Sequence, residues 1–339
     1  MLNNNNSCII IGLGRMGEKY ISIAKKLKLN ILGIYDKNHK RAFITIKKNK
    51  LKKNHYYKDL NQLLKLKPDI VIIASTADSH YELIKNCSKF NIKKIMVEKP
   101  LTTSLMNCRE IEVLSKKKQI KICVNHSYRF SDQYIFIKKI INSKKFGGAV
   151  SINLIGGNQG ISMNGVHFFD TLKFLTSSKP FKIFSNVKID KNKNPRGIKF
   201  KDYEGQVSII NKNGSRGYMD LSSQAGHGET LTCVCKFGII LIDLYTGKVT
   251  MNYRKSKFRK FSTVYYGKPF ISENIKIKIS NTSEITYKNL DKFIKNKNYV
   301  SLRESIEIIK ILIASIESSR KKKWININSF QNSKNFYWA

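Results

Sequence analysis

The first apolar run of the chain, residues 8–11, stops at Gly12, and a turn with further glycines carries the chain to Gly17. Beyond the turn, apolar residues recur at three- and four-residue spacing, which is typical of one face of a helix. These residues are Tyr20, Ile21, Ala24 and Leu27. A second apolar run at 31–35 ends in Asp36. The pattern therefore predicts a strand, a tight turn, a helix and a second strand.

Apolar runs and helical patterns go on alternating to about residue 124. Three further runs, at 70–74, 95–97 and 120–124, are short and mostly apolar, as in strands that are buried on both faces of a parallel sheet. Helical spacing occupies the segments 37–49, 59–66, 79–90 and 104–117. The first part of the chain is therefore predicted to be α/β, with a doubly wound parallel sheet.

Past about residue 130 the pattern changes to short extended stretches with few helices. A helix near 134–141 and a short helix from Val166 accompany strand candidates at 150–155, 181–189, 205–210, 215–221, 231–235 and 239–244. We expect an α+β domain with a large, mostly antiparallel sheet. The expected domains are 1–128 and 129–325, followed by a tail at 326–339. An amphipathic helix at 301–319 is expected to pack back toward the first domain.

The first strand–turn–helix–strand unit has the spacing of a dinucleotide-binding fingerprint. Gly12 suits the tight turn, Gly14 lets a pyrophosphate approach the backbone, and Gly17 lets the helix pack closely on the strand. The helix N-terminus offers its N–H groups to phosphate. Asp36, about 19 residues beyond Gly17, suits the ribose hydroxyls and would repel a 2′-phosphate. This favours NAD over NADP, although Lys37 and Arg41 lie nearby. The alternative to a dinucleotide-binding site is an ordinary glycine turn that binds no ligand.

The net charge of the chain is strongly positive, with 63 Lys and Arg against 23 Asp and Glu, or +40. The basic residues are mostly Lys and are scattered, and they rise together with Asn and Ile, whose codons are also A/T-rich. A composition bias therefore explains the charge better than a nucleic-acid surface, which would be clustered and richer in Arg. We expect no nucleic-acid partner, although the field should attract anionic ligands.

The six cysteines show no C-x-x-C spacing, so we expect reduced, buried thiols and no metal site. No apolar stretch approaches the ~18 residues that a membrane span needs. The N-terminal residues have neither a basic start nor an apolar signal core. We therefore expect a cytoplasmic protein without a membrane partner.

Two further stretches carry candidate chemistry. Lys99 lies in Glu98-Lys99-Pro100 at a predicted strand end, where the proline disfavours a helical conformation of Lys99 and directs its side chain outward. His167 and Asp170 lie three apart on one face of the predicted short helix. Read alone, Lys99 is an ordinary solvated lysine and His167 a packed core histidine.

Taken together, these stretches resemble the Gfo/Idh/MocA oxidoreductase family, the relatives of glucose-fructose oxidoreductase and inositol dehydrogenase. The matching segments are G-L-G-R-M-G, I-Y-D-K-N-H-K-R-A, S-T-A-D-S-H-Y-E-L-I, V-E-K-P-L-T-T-S, V-N-H-S-Y-R-F and G-V-H-F-F-D, in the family's order. The resemblance implies a Rossmann domain and a nicotinamide-dependent oxidation of a secondary alcohol on a sugar or cyclitol, or the reverse reduction. It also implies a homodimer or homotetramer joined through the large sheet, which apolar alternation at Val207, Ile209, Tyr218 and Leu231 does not contradict.

The resemblance also implies roles for single residues. Lys99 would stabilise the developing charge on the reacting oxygen, and His167 would take the hydroxyl proton. Substrate-binding candidates are Tyr128, Arg129, Asn164 and Asp170, of which Asp170 would otherwise orient His167. Cofactor-binding candidates are Gly12, Gly14, Arg15, Met16, Gly17, Asp36, Arg41, Ser75, Thr76, His80, Glu98, Lys99 and Asn125, most of which follow predicted strands.

One position departs from the family pattern. Many members carry an Asp four residues before this histidine, where this chain has Met163 beside Asn164. The leading hypothesis is an NAD-dependent dehydrogenase of a sugar, with a nucleotide sugar or other anionic sugar favoured by the scattered lysines and by Arg196. The alternatives are a catalytically silent NAD-binding sensor or partner protein, and a glycosidase that uses NAD transiently.

Overall fold

The computed structural model describes residues 6–157, 160–192, 194, 196–262, 270–336 and 338. Contacts divide the chain into two units. The first unit comprises Met1–Ser127, Thr282–Ile309 and Asn332–Ala339, and the second comprises Tyr128–Asn281 and Lys310–Gln331. Each unit is described separately below.

The strands and helices are numbered in chain order. The strands are β1 (Ser7–Ile11), β2 (Asn30–Tyr35), β3 (Ile70–Ile73), β4 (Lys94–Val97), β5 (Lys121–Val124), β6 (Ala149–Gly157), β7 (Pro180–Ile189), β8 (Tyr203–Asn211), β9 (Arg216–Ser222), β10 (Thr230–Cys235), β11 (Gly238–Asp243), β12 (Lys248–Arg254), β13 (Phe270–Lys276) and β14 (Ile325–Asn326). The helices are α1 (Arg15–Lys26), α2 (His39–Lys48), α3 (Leu60–Leu64), α4 (Ala77–Lys89), α5 (Leu105–Lys118), α6 (Asp132–Ile141), α7 (Val166–Thr176), α8 (Thr282–Ile294) and α9 (Leu302–Lys321).

The first unit is built on a parallel sheet with the strand order β2-β1-β3-β4-β5 in the described residues. Strand β3 is buried along its whole length, as expected for a strand covered on both faces. Three helices begin at side-chain caps that accept a backbone N–H, namely those of Asn38, Asp59 and Ser104. The predicted doubly wound α/β fold is confirmed.

Helix α8 completes the core of the first unit. Its residues Leu290, Phe293 and Ile294 are buried in the same apolar cluster as Ile10 of β1 and Tyr20 of α1. Burial of each such side chain stabilises the fold by about 1.5–3 kcal/mol. For this reason Thr282–Ile309 falls in the first unit, whereas we expected residues 129–325 to form one domain.

The segment that we expected to be a tail, 326–339, is also divided between the units. Trp338 is fully buried, and its indole Nε1 donates a hydrogen bond to the carbonyl of Thr102 at 3.1 Å. Phe336 stacks on Trp338 with 4.8 Å between the ring centroids. These contacts fix Phe336 and Trp338 against the loop that follows β4.

The second unit is built on a large sheet with the order β13-β12-β11-β10-β6-β9-β8-β7-β14 in the described residues. Strand β6 runs parallel to β9, and the other neighbours are antiparallel. The expected large, mostly antiparallel sheet is confirmed. Strands β12 and β13 were not predicted.

One face of this sheet is covered and the other is partly exposed. Val207, Ile209 and Leu231 are buried on the covered face. Of the four positions cited for subunit contact, Tyr218 alone alternates to the other face. That face also carries Ile155 and Leu241, which are 51% and 42% exposed. The candidate interface residues therefore differ from those that the sequence suggested.

All six cysteines are buried, unlinked thiols. No group of three or more His, Cys, Asp or Glu in the part of the chain that the structure describes is arranged to hold a metal ion. Within the same residues, every helix is too short or too polar to cross a membrane.

Candidate functional site

The turn between β1 and α1 requires glycine at two positions and leaves open space at a third. Gly12 has φ +88°, and a Cβ there would lie 2.7 Å from the backbone N of Ser75. A Cβ on Gly17 would lie 2.0 Å from the carbonyl oxygen of Gly12. A Cβ on Gly14 would meet nothing within 4 Å. Gly12 and Gly17 are therefore needed for the fold, and Gly14 leaves its backbone open to a ligand.

Helix α1 begins at Arg15, directly after Gly14, and no side chain caps its N-terminus. The first N–H groups of such a helix have no partner within it and attract anionic groups such as phosphate. The Arg15 side chain is exposed, while Met16 packs on the apolar core. The turn thus offers backbone donors and one cation to a ligand above Gly14.

Asp36 fixes the end of β2 to the glycine turn. Its Oδ2 accepts a hydrogen bond from the N–H of Leu13 at 2.7 Å, and its Oδ1 accepts one from Asn38 at 2.8 Å. The guanidinium of Arg41 lies 3.4 Å from Oδ2 and is half exposed. Asp36 is buried, at 4% exposed, so its contact with a ribose stays a prediction. The open space above Gly14 and the free N–H groups of α1 fit the pyrophosphate of a dinucleotide.

Ser75 and Thr76 follow β3, and Thr76 is the N-cap of α4. The Ser75 and Ser79 hydroxyls lie 2.7 Å apart, and Ser79 donates to the carbonyl of Thr76 at 2.8 Å. The backbone of Ser75 lies beside Gly12, and both residues remain candidates for contact with a cofactor.

His80 has no exposed surface, contrary to its expected contact with the cofactor. Its Nδ1 lies 3.1 Å from the carbonyls of Pro100 and Leu101, and its Nε2 lies 3.1 Å from the carbonyl of Ser75. Burial lowers the pKa of His80. The imidazole therefore joins the loop after β3 to the loop after β4.

Glu98 and Asn125 are also buried rather than open to a ligand. Glu98 Oε1 accepts hydrogen bonds from the hydroxyl of Tyr20 and from Asn125 Nδ2, both at 2.8 Å. Asn125 Nδ2 also donates to Thr286 at 3.1 Å, and Asn289 donates to Asn125 at 3.2 Å. Burial and then the charge of Glu98 raise the pKa of Tyr20, which stays a neutral donor. The two residues tie the ends of β4 and β5 to α1 and α8.

Lys99 directly follows this network and is partly buried. The residues after it are held on two sides, because His80 contacts the carbonyls of Pro100 and Leu101 while Trp338 donates to Thr102. The N–H of Phe336 adds a hydrogen bond to the carbonyl of Thr103 at 3.0 Å. Lys99 thus lies on a fixed loop at the same sheet edge as Gly12 and Asp36.

In the second unit, α7 carries His167 and Asp170 one turn apart. Asp170 is fully buried and forms a bidentate ion pair with Arg129, in which Nε donates to Oδ2 at 2.9 Å and Nη2 donates to Oδ1. Asp170 therefore has no surface for a substrate, contrary to expectation. Its carboxylate positions Arg129.

The imidazole of His167 stacks on the ring of Tyr128, with 3.9 Å between centroids and an interplanar angle of 4°. The ring of Tyr134 also stacks on the ring of Tyr128, with 6.2 Å between the centroids. Burial raises the pKa of both tyrosines, so their phenols are neutral at physiological pH. His167 is thus held in a defined plane by an aromatic neighbour.

The segment before α7 is a single π-helical turn, Ile161–Gly165. Asp202 accepts hydrogen bonds from the N–H groups of Ser162 at 2.8 Å and Met163 at 3.0 Å. Burial raises the pKa of Asp202. Asn164 lies partly buried in this turn. Asp202 was not predicted, since it lies about 40 residues away and carries no local signal.

Arg196 was proposed to reach an anionic substrate. Its backbone N–H donates to Asn194 Oδ1 at 2.9 Å. Lys193 and Pro195 of the same loop lie outside the described residues, so the proposed contact stays a prediction.

Comparison with family models matches residues 7–126 to GFO_IDH_MocA, an oxidoreductase family with an NAD-binding Rossmann fold. The uncharacterized oxidoreductase YhhX of Escherichia coli is 33% identical over 100 residues, which cover 29% of this chain and 28% of YhhX. Inositol 2-dehydrogenase 2 of Saccharopolyspora erythraea is 27% identical over 118 residues, covering 32% of this chain and 34% of that protein. The matches thus span about a third or less of either relative.

Solved structures resemble nearly the whole chain. An oxidoreductase from Agrobacterium radiobacter, in complex with NAD+, L-tartaric acid and magnesium, has a TM-score of 0.78 at 15% identity and covers 96% of this chain and 99% of its own. A super-repressor mutant of Gal80p from Saccharomyces cerevisiae has a TM-score of 0.77 at 14% identity, with coverage of 96% and 98%. At these identities the likeness shows the fold.

Proposed function

We propose that this chain, whose residues 7–126 match the model of the Gfo/Idh/MocA family of NAD-binding oxidoreductases, oxidises a secondary alcohol of a sugar or cyclitol, or catalyses the reverse reduction. The observation that carries the proposal is the place of Lys99. It follows β4 on a fixed loop, at the sheet edge that also presents Gly14, the N-terminus of α1 and Asp36. A cation at this edge suits an oxygen that gains negative charge during hydride transfer.

In this proposal NAD supplies the hydride acceptor. Gly14 and the first N–H groups of α1 bind its pyrophosphate, and Asp36 binds a ribose hydroxyl. The Lys99 ammonium hydrogen-bonds the reacting oxygen and stabilises its developing charge. His167 takes the hydroxyl proton, because an imidazole can accept a proton near neutral pH.

A sugar or cyclitol is supported by the name of one relative, inositol 2-dehydrogenase 2. The net charge of +40 favours an anionic substrate such as a nucleotide sugar. Asp36 favours NAD over NADP, whereas the adjacent Arg41 is the residue that would accommodate a 2′-phosphate.

The test is the appearance of NADH absorbance with purified protein, NAD or NADP, and a panel of free sugars, sugar acids, cyclitols and nucleotide sugars. Lys99→Met should abolish turnover with the active compound. Lys93→Met is the matched control, because Lys93 is an exposed lysine at the other end of β4. If Lys99→Met kept turnover within a few-fold of the wild-type rate, the assigned role of Lys99 would be wrong.

A second candidate is a catalytically silent NAD-binding regulator, favoured by Met163 in the π-helical turn before His167. The fold likeness to Gal80p, a regulator by its printed description, supports this candidate. Tight NADH binding without turnover of any compound in the panel would favour it. Cleavage of a glycoside without net formation of NADH would instead favour the redox-assisted glycosidase.

We also propose that subunits associate through the partly exposed face of the large sheet, around Ile155, Tyr218 and Leu241. Burying the two exposed aliphatic side chains would be favourable. Light scattering should show a dimer or tetramer, and Leu241→Glu should shift the mass to that of the monomer. An unchanged mass for Leu241→Glu would place the interface elsewhere.

A further inference from the structure

The backbone directly after Lys99 is held by contacts to its carbonyl groups. We call residues 99–104 the Lys99 loop. In its first half, the carbonyls of Pro100 and Leu101 lie 3.1 Å from Nδ1 of His80, which belongs to α4. This half of the loop is therefore held by a helix that is close in sequence.

The second half of the Lys99 loop is held by a segment that is remote in sequence. The indole Nε1 of Trp338 donates a hydrogen bond to the carbonyl of Thr102 at 3.1 Å, across 236 residues. The backbone N–H of Phe336 donates to the next carbonyl, that of Thr103, at 3.0 Å. Two neighbouring carbonyls are thus bound from one short segment, within the first unit.

The donor of the first bond is itself fixed. Trp338 has no exposed surface, and its ring stacks on that of Phe336 with 4.8 Å between centroids and an interplanar angle of 19°. Thr102 is also fully buried, and its hydroxyl is used inside the loop, where it donates to the carbonyl of Ser104 at 2.8 Å. Loss of the indole N–H would therefore remove a donor from a carbonyl that water does not reach, which is unfavourable.

A buried tryptophan usually finds an acceptor for its N–H, so one such bond alone would be ordinary. Here the side chain of Trp338 and the backbone of Phe336 bind consecutive residues of the same loop. Two attachments fix the orientation of the loop backbone as well as its position. The loop that they fix begins with Lys99.

We propose that Trp338 is a positioning residue for Lys99. This inference rests on the proposed function, in which the Lys99 ammonium stabilises charge on the reacting oxygen. Such a role requires the ammonium to be held within hydrogen-bond distance of that oxygen, and a misplacement of about 1 Å can cost roughly 100-fold in rate. Trp338 touches neither substrate nor cofactor in this proposal, and it acts through the backbone of the Lys99 loop.

The first measurement needs no substrate. Trp338→Phe keeps an aromatic ring in the stack and removes the N–H donor. Hydrogen–deuterium exchange of the full chain, followed by mass spectrometry, reports local opening of the loop. In Trp338→Phe we expect exchange of the peptide 98–104 to be about 5-fold faster or more, while the peptide 7–26 exchanges as in wild type. Phe336→Ala, which removes the stacked ring, should accelerate exchange in the same loop peptide.

Two variants control this measurement. Trp324→Phe changes the other tryptophan of the chain, which is 47% exposed and lies in the second unit, and should leave the loop unchanged. Ile294→Val trims a buried side chain of α8 and lowers the stability of the first unit. It should not accelerate exchange in the peptide 98–104, so it separates a local effect on the loop from general destabilisation.

The second measurement uses the compound that the dehydrogenase assay identifies. Trp338→Phe should lower kcat by about tenfold or more and leave the KM for NAD within about twofold of wild type, because the Gly14 turn and the N-terminus of α1 bind the cofactor in this proposal. Trp324→Phe and Ile294→Val should keep the wild-type kcat at temperatures well below their melting points.

The proposal is overturned if exchange of the peptide 98–104 is the same in wild type and in Trp338→Phe, or if Ile294→Val accelerates it equally. It is also overturned if the loop exchanges faster in Trp338→Phe but kcat stays at the value of Trp324→Phe. If no compound is turned over, the proposed function fails, and the exchange result still decides whether Trp338 holds the Lys99 loop.

Discussion

Replacement of Gly14 by Ala separates ligand binding from stability more sharply than any other change in the first unit. Gly14 has φ −70° and ψ −169°, which an alanine adopts without strain. Its added Cβ would meet no atom within 4 Å. The methyl group therefore enters the space that we assign to the pyrophosphate and touches nothing in the protein.

The effect on stability should be small, because two contributions of similar size oppose each other. Alanine reduces the entropy of the unfolded chain and stabilises the protein by about 0.4–1 kcal/mol. Gly14 is also the N-cap of α1, and alanine is a poorer N-cap than glycine by roughly 0.5–1 kcal/mol. The melting temperature should therefore change by less than about 2 °C.

The effect on cofactor binding should be large. A methyl group on the backbone prevents the close approach of a pyrophosphate to the turn. Loss of one charge-assisted hydrogen bond of about 1.5–3 kcal/mol weakens binding by roughly 10- to 150-fold. NADH fluorescence titration measures the dissociation constant, and differential scanning fluorimetry on the same samples measures the melting temperature.

Two glycine variants bracket the result. In Gly17→Ala the Cβ would lie 2.0 Å from a carbonyl oxygen, so this variant should lose stability and NADH binding together. Gly226→Ala adds a methyl group in open space in the second unit and should change neither. If Gly14→Ala bound NADH as tightly as wild type, the pyrophosphate would not lie over this turn.

The remaining predictions concern buried groups. Asp170→Asn should destabilise the second unit by about 3–5 kcal/mol in denaturant unfolding, because it leaves the Arg129 guanidinium without its carboxylate. Glu273→Gln, which removes a partly exposed carboxylate paired with the surface Lys145, is the control, and a change below about 1 kcal/mol for Asp170→Asn would contradict the structural role. Trp338→Ala should destabilise the first unit by about 3–5 kcal/mol, whereas Trp338→Phe should cost less because it loses chiefly the hydrogen bond to Thr102. Burial raises the pKa of Glu229 from the ordinary 4.5 to about 7 in the folded protein, so ionisation of Glu229 opposes folding increasingly as the pH rises from 4.5 to 7. Glu229→Gln should therefore be more stable than wild type by up to about 3 kcal/mol at pH 8, and by little at pH 5. An equal difference in the free energy of unfolding at both pH values would refute the assigned pKa.

The parts of the first unit that the sequence predicted correctly depend on local spacing. Gly12 and Gly17 belong to one turn, and their structural roles follow from the strand and helix on either side. Asp59 and Ser104 lie next to the helices that they cap. In each case the partner is a few residues away, so a local pattern contains the whole interaction.

Some elements were missed although the chain carries a readable signal. In α8, Ile285, Leu290, Phe293 and Ile294 have helical spacing and are buried. In β12, Val249, Met251 and Tyr253 alternate with polar residues. Reading α8 as a helix would not have placed it in the first unit, because its contacts with Asn125 span more than 160 residues.

The candidate site shows a more general limit of the sequence. Glu98, Asp170 and Asp202 are all carboxylates near candidate chemistry, yet each accepts hydrogen bonds from structural partners that lie from 27 to 78 residues away. Both ring nitrogens of His80 likewise lie within hydrogen-bond distance of loop carbonyls. Residue type and spacing identify groups that are capable of chemistry, but only the packed structure shows which of them are already engaged.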